Sequence, residues 1–542
     1  MDEDEQDIDR LASAFSWEIP ERYNIGVDVC DKWADDPRRI ALIHKPRNGA
    51  SVEYTFADIR RLSNQVANLM RSDGLNRGDR IGVLIPQAPE TAIAHVAIYK
   101  MGGIAVPLFS LFGPEALRFR LANSGARAVV TDLEGAAKLR AIREQLPELQ
   151  VVYTIDGVCA DTVDFHAGSL RQSTVFQPAD TAANDPAVII YTSGTTGSPK
   201  GALHAHRVLL GHLPGVEMSH DGAPQRGDRF WTPADWAWIG GLFDVLMPAW
   251  HHGISVVSHR FAKFDPEAAF DLIDSLGVRN AFLPPTALRI MRSVANPRAR
   301  WRLDMRSIAS GGESLGRELL SWGQQTFGLT INEFYGQTEC NMVVSSCGSR
   351  MPARPGRIGK AVPGHRVAIV DAAGCVLPSG VTGNIAIRKP DPVMFLCYWN
   401  NAPATANKFV GDWLLTGDLG ECDADGYIRF ISRDDDIITS GGYRIGPGEV
   451  EDCLIGHPSV RVAAVVGVPD EVRTEIVKAF IVLHDGIEAS EALVEELQSF
   501  VKARLAAHEY PRQIEFVSSL PMTATGKIIR RELRGRDMSH NE

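Results

Sequence analysis

The run from Tyr191 to Gly201, YTSGTTGSPKG, constrains this chain more than any other segment. It follows directly on an apolar stretch, 187–190, that reads as a short buried strand. Glycines, a dense set of hydroxyls and Lys200 make a flexible loop whose N–H and O–H donors can wrap phosphate oxygens. Its spacing is not GxxxxGK[ST], which disfavours a P-loop kinase or ATPase. Such a loop on a strand end belongs in an α/β layer, and the flanking sequence agrees. Segments 81–86, 104–108, 128–132, 188–191, 254–258 and 281–283 are short apolar runs. Helical spacing fills 88–101 and 267–276 between them, and 307–335 repeats the order strand, Gly-rich turn, helix, strand. These are βαβ units with parallel sheet.

The pattern changes after about residue 360. Segments 366–371, 384–389 and 427–431 are short strands parted by Gly, Pro and Asp turns, which points to a small antiparallel β subdomain. Beyond 435, paired strands at 461–468 and 476–483, a helix at 490–507 and a strand at 513–518 suffice for a compact α+β unit. The expected architecture is therefore multi-domain α/β. A large N-terminal domain, 1–434, has layered α/β sheets and the small β subdomain; a smaller, mobile α+β C-terminal domain spans 435–542.

With 542 residues, 44% apolar and 23% charged, the chain has ample material for large cores. Acidic residues (67) exceed basic ones (56), a net charge of −11, which argues against a nucleic-acid or anionic-membrane binder. Any anion site must be built locally. Eight scattered cysteines show no CxxC pair, the usage expected of reduced thiols. The acidic start, MDEDEQDIDR, is unlike a secretory or transit segment, and no apolar run reaches a membrane span. A cytoplasmic location, without an integral membrane segment, is the expectation.

Five further segments stand in order behind the loop. They are SGGESL (310–315), NEFYGQTE (332–339), WLLTGD (413–418), RDDD (433–436) followed by SGGYR (440–444), and PMTATGK (521–527). Singly, each has a plainer reading. The loop is a surface turn, Asp418 a turn aspartate, the RDDD run a solvated charge cluster, Lys527 an exposed lysine, and Tyr335, Trp236 and Trp238 core aromatics. Together and in this order they resemble the adenylate-forming superfamily of acyl-CoA synthetases, peptide-synthetase adenylation domains and luciferases. The phrases GGESLG, FYGQTE, SGGYRIGPGEVE and TATGKIIR are most similar to medium-chain acyl-CoA synthetases.

The resemblance implies an AMP-forming acid–thiol ligase with ATP, Mg²⁺ and coenzyme A as its cofactors and co-substrates, and a small carboxylic acid as partner. Thr192, Ser193, Gly194, Thr195, Thr196, Gly197 and Lys200 would hold phosphates. Gly312, Glu313, Glu333, Phe334, Tyr335, Gly336 and Gln337 would form the adenine side, with Asp418, Arg433 and Arg444 on the nucleotide. Glu339 would hold Mg²⁺, for which one carboxylate beside phosphate oxygens suffices. Thr338 would touch the α-phosphate and the substrate carboxylate. Lys527 would be the catalytic lysine of adenylation, offsetting charge that grows on the phosphoryl oxygens.

For thioester formation the C-terminal domain would turn about Asp435. That withdraws Lys527 and presents Gly441, Gly442 and Tyr443 to the pantetheine arm. Arg473, His508 and Tyr510 match CoA-contacting positions. Trp238 would line the acyl site, and Gly336, where acetate-specific relatives carry Trp, would leave its floor open to longer acids. Segments 108–112 (LFSLF) and 234–240 depart from the mammalian members, which leaves chain length, branching or an aromatic acid open. The alternative within the family is an adenylating enzyme that loads a separate carrier protein. A luciferase-like oxygenase has no distinguishing feature here. A non-catalytic nucleotide binder would predict loss of Lys527, Glu339 or Asp418, and all three are present.

Overall fold

The structure, a computed structural model, describes residues 5–192, 199–312, 315–354, 356–433, 438–445, 447–506, 508–521, 530 and 532–534. The βαβ segments build two mixed sheets. One has eight strands, in the order Cys397–Tyr398, Lys200–Ala205, Pro186–Thr192, Ile104–Pro107, Arg80–Leu84, Ala128–Thr131, Val151–Thr154 and Val163–Asp164. Its pairs are parallel from Pro186–Thr192 onward, as expected, but Lys200–Ala205 returns antiparallel on Pro186–Thr192. These two strands thus form a hairpin, paired as far as Thr192 and Lys200. The other sheet has nine strands, parallel from Ile331–Gln337 across to Ile40–His44, with antiparallel strands at both edges.

Helix Pro89–Met101 lies in the core shared by these sheets. Proline in its first turn and Gly102 in the left-handed region (φ 69°) set its two ends. Every residue except Glu90 is buried, including Lys100, whose ammonium pairs with Asp31 at 2.6 Å and donates to Ser63 and Asn64. Its core takes Val83, Val130 and Ile190 from the eight-stranded sheet and Ala41, Phe230 and Val256 from the nine-stranded one. The alternate residues Val106, Val129 and Ile189 face the other way. They share a second core with Leu497, Val501 and Leu505 near the C-terminus. Strand periodicity thus joins three layers.

The small antiparallel sheet forms as expected from Val367–Val370, Gly383–Arg388 and Ile428–Arg433, but its centre is Trp413–Cys422. The C-terminal sheet pairs Val460–Asp470 with Thr474–Leu483, and Gln513–Phe516 adds in parallel. Helix Glu491–Arg504 matches the expected one, while helix Pro447–Ile455 precedes the strands. The expected boundary at 434/435 lies outside the described residues. Among the described residues no helix is long and apolar enough to cross a membrane.

Trp250 is fully buried, packs on Phe56, and donates its indole N–H to the Ala41 carbonyl at 2.8 Å. Trp250→Ala is expected to cost about 3–5 kcal/mol. Urea unfolding should show an earlier transition; an unmoved one would mean that this core does not limit stability.

Candidate active site

The residues expected on the nucleotide come together where the nine-stranded sheet meets the small sheet. Strand Ile331–Gln337 carries the NEFYGQ motif, and strand Trp413–Cys422 carries Asp418. Asp418 is only 3% exposed, so its carboxylate needs donors. Tyr335 donates its hydroxyl to Oδ2 at 2.6 Å, and Gln337 donates Nε2 to the same oxygen at 2.7 Å. Gln337 Nε2 also reaches the Thr416 carbonyl at 2.9 Å, and Thr416 Oγ1 accepts the Asp418 N–H at 3.1 Å. Gly417 between them takes φ 79°, which a side chain would strain. Burial, then the Asp418 charge, pushes the Tyr335 phenol well above its ordinary value, so it stays a donor. Across the ladder Asp418 pairs with Arg433, which brings two of the residues expected on the nucleotide side by side.

Lys408 was not legible as a site residue. Its ammonium donates to the carbonyls of Leu415 and Thr416 (3.2 and 3.1 Å) and to Gln337 Oε1 (3.4 Å). It ties the two strands together; a lone lysine between Asn407 and Phe409 carries no sequence signal for that.

Glu339 follows the same strand and is buried. Tyr398 donates its hydroxyl to Glu339 Oε1, and the Lys200 ammonium sits 5.4 Å from the Tyr398 ring centre. Tyr398 is a second residue that the motifs did not indicate. Among the described residues no cluster of three or more His, Cys, Asp or Glu could hold a metal. A single oxygen-ligand carboxylate beside a phosphate loop fits Mg²⁺ bound chiefly through phosphates. Thr192 and Lys200 face each other in the hairpin register, which fixes both ends of the phosphate loop. Ser193, Gly194, Thr195, Thr196 and Gly197 lie outside the described residues, as do Glu313, Asp435 and Lys527. Of Arg433 and Arg444 only the backbone is described.

On the adenine side, Gly312 has φ 94° and open space where a Cβ would stand. Glu333 is pushed up to about 7 by burial, while Leu315 N–H donates to its Oε1 at 3.4 Å. Phe334 packs on Phe282 with ring centres 5.2 Å apart. Gly336 stands where the strand bulges against Cys340–Ser345. A Cβ there would lie 2.5 Å from both Asn341 Oδ1 and Met342 N. The glycine therefore has a packing reason beside the one expected for it, since the neighbouring strand takes the space.

The acyl and thiol side brings the expected Trp238, Tyr443 and His508 together. Tyr443 and His508 stack with ring centres 3.8 Å apart, and Trp238 lies 5.9 and 6.2 Å from them. Phe109, from the apolar 108–112 segment, touches all three at 5.5–5.8 Å. Gly441 and Gly442 adopt φ 60° and 79°, and Gly441 N–H bonds the Arg473 carbonyl at 3.0 Å. Tyr510 stands further out, flanked by Lys502 and Arg512.

This docking is held by Gly113 N–H to the Leu505 carbonyl (2.7 Å), Arg289 to Thr474 Oγ1 (2.9 Å) and an Arg504–Glu115 ion pair (3.4 Å). Leu520 and Leu533, which flank the PMTATGK motif, both pack with Ala464, Val466 and Phe480. The alternate residues Ala463, Val465 and Ala479 belong to the core shared with Phe109. Leu520 and Leu533 thus pack on the opposite face of the C-terminal sheet from the one that meets the N-terminal core.

The two mixed sheets, the small β sheet and the C-terminal α+β unit are the fold of an adenylate-forming class of protein. The family model for AMP-binding enzymes matches residues 30–399, and that for the AMP-binding enzyme C-terminal domain matches 449–527. The chain belongs to the AMP-binding enzyme family. It is 35% identical to the acetyl-coenzyme A synthetase of Bacillus subtilis (strain 168), covering 96% of this chain and 91% of that one. Identity to the mitochondrial acyl-coenzyme A synthetase ACSM4 of Homo sapiens is also 35%, over 96% and 91% of the two chains. The crystal structure of the anthranilate CoA ligase AuaEII, complexed with anthranoyl-AMP, superposes with a TM-score of 0.73 at 30% identity, covering 97% of this chain and 99% of that one.

Hydrogen bonds to a charged group contribute about 1.5–3 kcal/mol. Tyr335→Phe is therefore expected to raise the KM for ATP about 10-fold or more, with the fold retained. An unchanged KM would remove Tyr335 and Asp418 from nucleotide binding.

Proposed function

We propose that this chain is an ATP-dependent acyl-CoA synthetase. A carboxylate oxygen attacks the α-phosphorus of ATP, the bond to the bridging oxygen of pyrophosphate breaks, and acyl-AMP forms. The CoA thiolate then attacks the acyl carbon, releasing AMP and leaving a thioester. One observation carries the reading. The chain sets a buried Asp418, held by Tyr335 and Gln337, in the same molecule as the Trp238–Tyr443–His508 entrance. The first suits a ribose diol; the second suits an acyl chain meeting a pantetheine arm, with glycines at 441 and 442 permitting close approach.

In this reading Glu339 would hold Mg²⁺, which when bound would supply positive charge to offset that of the phosphates. Thr338 and Lys200 orient the phosphates, and Arg433 supports the ribose beside Asp418. The present docking suits the thioester step, because Tyr443 is at Trp238 and the segments flanking the lysine motif pack on the far sheet face. Adenylation then requires the domains, divided near 434/435, to turn about Asp435 and bring Lys527 in. The acid is of short or medium chain, branched or aromatic, and the same fold at 30% identity serves an anthranilate ligase. Among the described residues no disulfide joins any of the eight cysteines, which supports a reducing compartment such as the cytoplasm.

The test is pyrophosphate release with Mg-ATP, with and without CoA, across acids from acetate to decanoate plus benzoate. Turnover that requires CoA and yields AMP is expected; an adenylate that CoA never discharges would point to carrier loading instead. Lys527→Ala should slow pyrophosphate release on the order of 10²–10³-fold, and Tyr443→Ala should slow the discharge of preformed acyl-AMP by CoA. Unimpaired adenylation in Lys527→Ala would refute its catalytic role.

A further inference from the structure

Helix Pro285–Met291 follows strand Asn280–Phe282 of the nine-stranded sheet, and its Leu288 and Met291 are fully buried in the core beneath it. Packing therefore fixes where this helix lies. Arg289 stands on its partly exposed side. The guanidinium donates Nη1 to Thr474 Oγ1 at 2.9 Å, across 185 residues of chain. The same helix backs the glycine loop, since a Cβ on Gly441 would stand 4.0 Å from Thr286 Cγ2. One short helix thus meets both the loop expected to admit the pantetheine arm and the turn beside that loop.

Thr474 is an unusual residue for its place. It closes the turn 471–473 between strands Val460–Asp470 and Thr474–Leu483, facing Asp470 in the register. Its φ is 70°, in the left-handed region that a β-branched side chain rarely adopts and glycine enters freely. Asp470 already shapes the turn, for its Oδ1 accepts the N–H groups of Val472 (3.0 Å) and Arg473 (2.7 Å). The backbone by itself would favour glycine at 474. Threonine keeps a hydroxyl in reach of Arg289 at the expense of strain, and strain of this kind is retained where the surroundings use it.

Two backbone links tie the turn to the glycine loop. Ser440 pairs with Thr474 in the antiparallel ladder, and Gly441 N–H donates to the Arg473 carbonyl at 3.0 Å. Two residues on, Tyr443 stacks on His508 and meets Trp238. A shift of Thr474 would carry Ser440 and Gly441 with it, and the Tyr443 ring behind them. We propose that Arg289 is a positioning residue for thioester formation, setting the Gly441–Tyr443 loop at the acyl entrance through Thr474. The inference rests on the ligase reading above and separates its two steps. Arg289 and Thr474 stand on opposite sides of the 434/435 boundary, so a turn about Asp435 parts them. Adenylation then proceeds without the contact, and only the CoA step feels its loss.

The experiment measures the two half-reactions of the full chain separately, with butyrate, octanoate and benzoate as the acids. Adenylation is read as ATP–pyrophosphate exchange without CoA. Thioester formation is read as single-turnover discharge of preformed acyl-AMP by CoA. Arg289→Ala should slow discharge about 10-fold, the effect of losing one hydrogen bond from a charged donor, and leave exchange within about 2-fold. Arg289→Lys keeps a cationic donor and should recover part of the loss. Thr474→Gly relaxes the backbone while removing the hydroxyl, so its slowed discharge would come without added strain. Thr474→Ser keeps the oxygen and should stay near the wild type. Arg289→Ala and Thr474→Gly combined should slow discharge no further than either alone. Unchanged discharge in Arg289→Ala or Thr474→Gly overturns the inference, and so does equal slowing of both steps. The turn at 474 is partly exposed, so the Thr474 variants decide the matter even where Arg289→Ala fails to fold. The wild type is read first: no exchange with any acid removes the ligase reading, and exchange that CoA never discharges moves it to carrier loading.

Discussion

The Asp418 carboxylate is the point on which the active-site end of the molecule depends. It is buried where two sheets meet, and burial without donors would be prohibitive. Tyr335 and Gln337 from the nine-stranded sheet supply those donors, while Lys408 ties the Asp418 strand to Gln337. A group able to receive ribose hydroxyls is thus also the bond between the large α/β body and the small β sheet. Geometry and stability are coupled there: loosening either sheet would move the carboxylate.

A different force sets the thiol side. Phe109, Trp238, Tyr443 and His508 form one aromatic group drawn from both ends of the chain. Such ring pairs contribute about 0.5–1.5 kcal/mol each beyond their buried area. The polar contacts that accompany them are few, and the Arg504–Glu115 pair is exposed enough to count for little. In the proposed mechanism this interface would hold one docking and be exchanged for another. A two-step ligase with a single nucleotide site requires that exchange.

Much of the fold was legible because parallel strands are buried on both faces. Runs such as 81–86 and 128–132 are continuously apolar and stand out. Strand Trp413–Cys422 did not, because its inward residues after Leu414 are Thr416, Asp418 and Gly420. Its buried face is polar for the sake of the site, which defeats a hydrophobic pattern. Lys200–Ala205 was missed for another reason: the turn joining it to Pro186–Thr192 is a long functional loop rather than a short hairpin turn. The motif residues were found by their order along the chain. Lys408 and Tyr398 could not be, since Lys408 reaches Gln337 71 residues away and Tyr398 reaches Glu339 59 residues away, and no local spacing encodes that.

The most direct test of the account is the fate of oxygen from the acid. With carboxylate labelled by heavy oxygen, one turnover through an acyl-adenylate transfers one labelled atom to AMP. The account predicts labelled AMP, unlabelled pyrophosphate and one label retained in the thioester. Label in inorganic phosphate, with ADP as the nucleotide product, would mean an acyl-phosphate route and would contradict it.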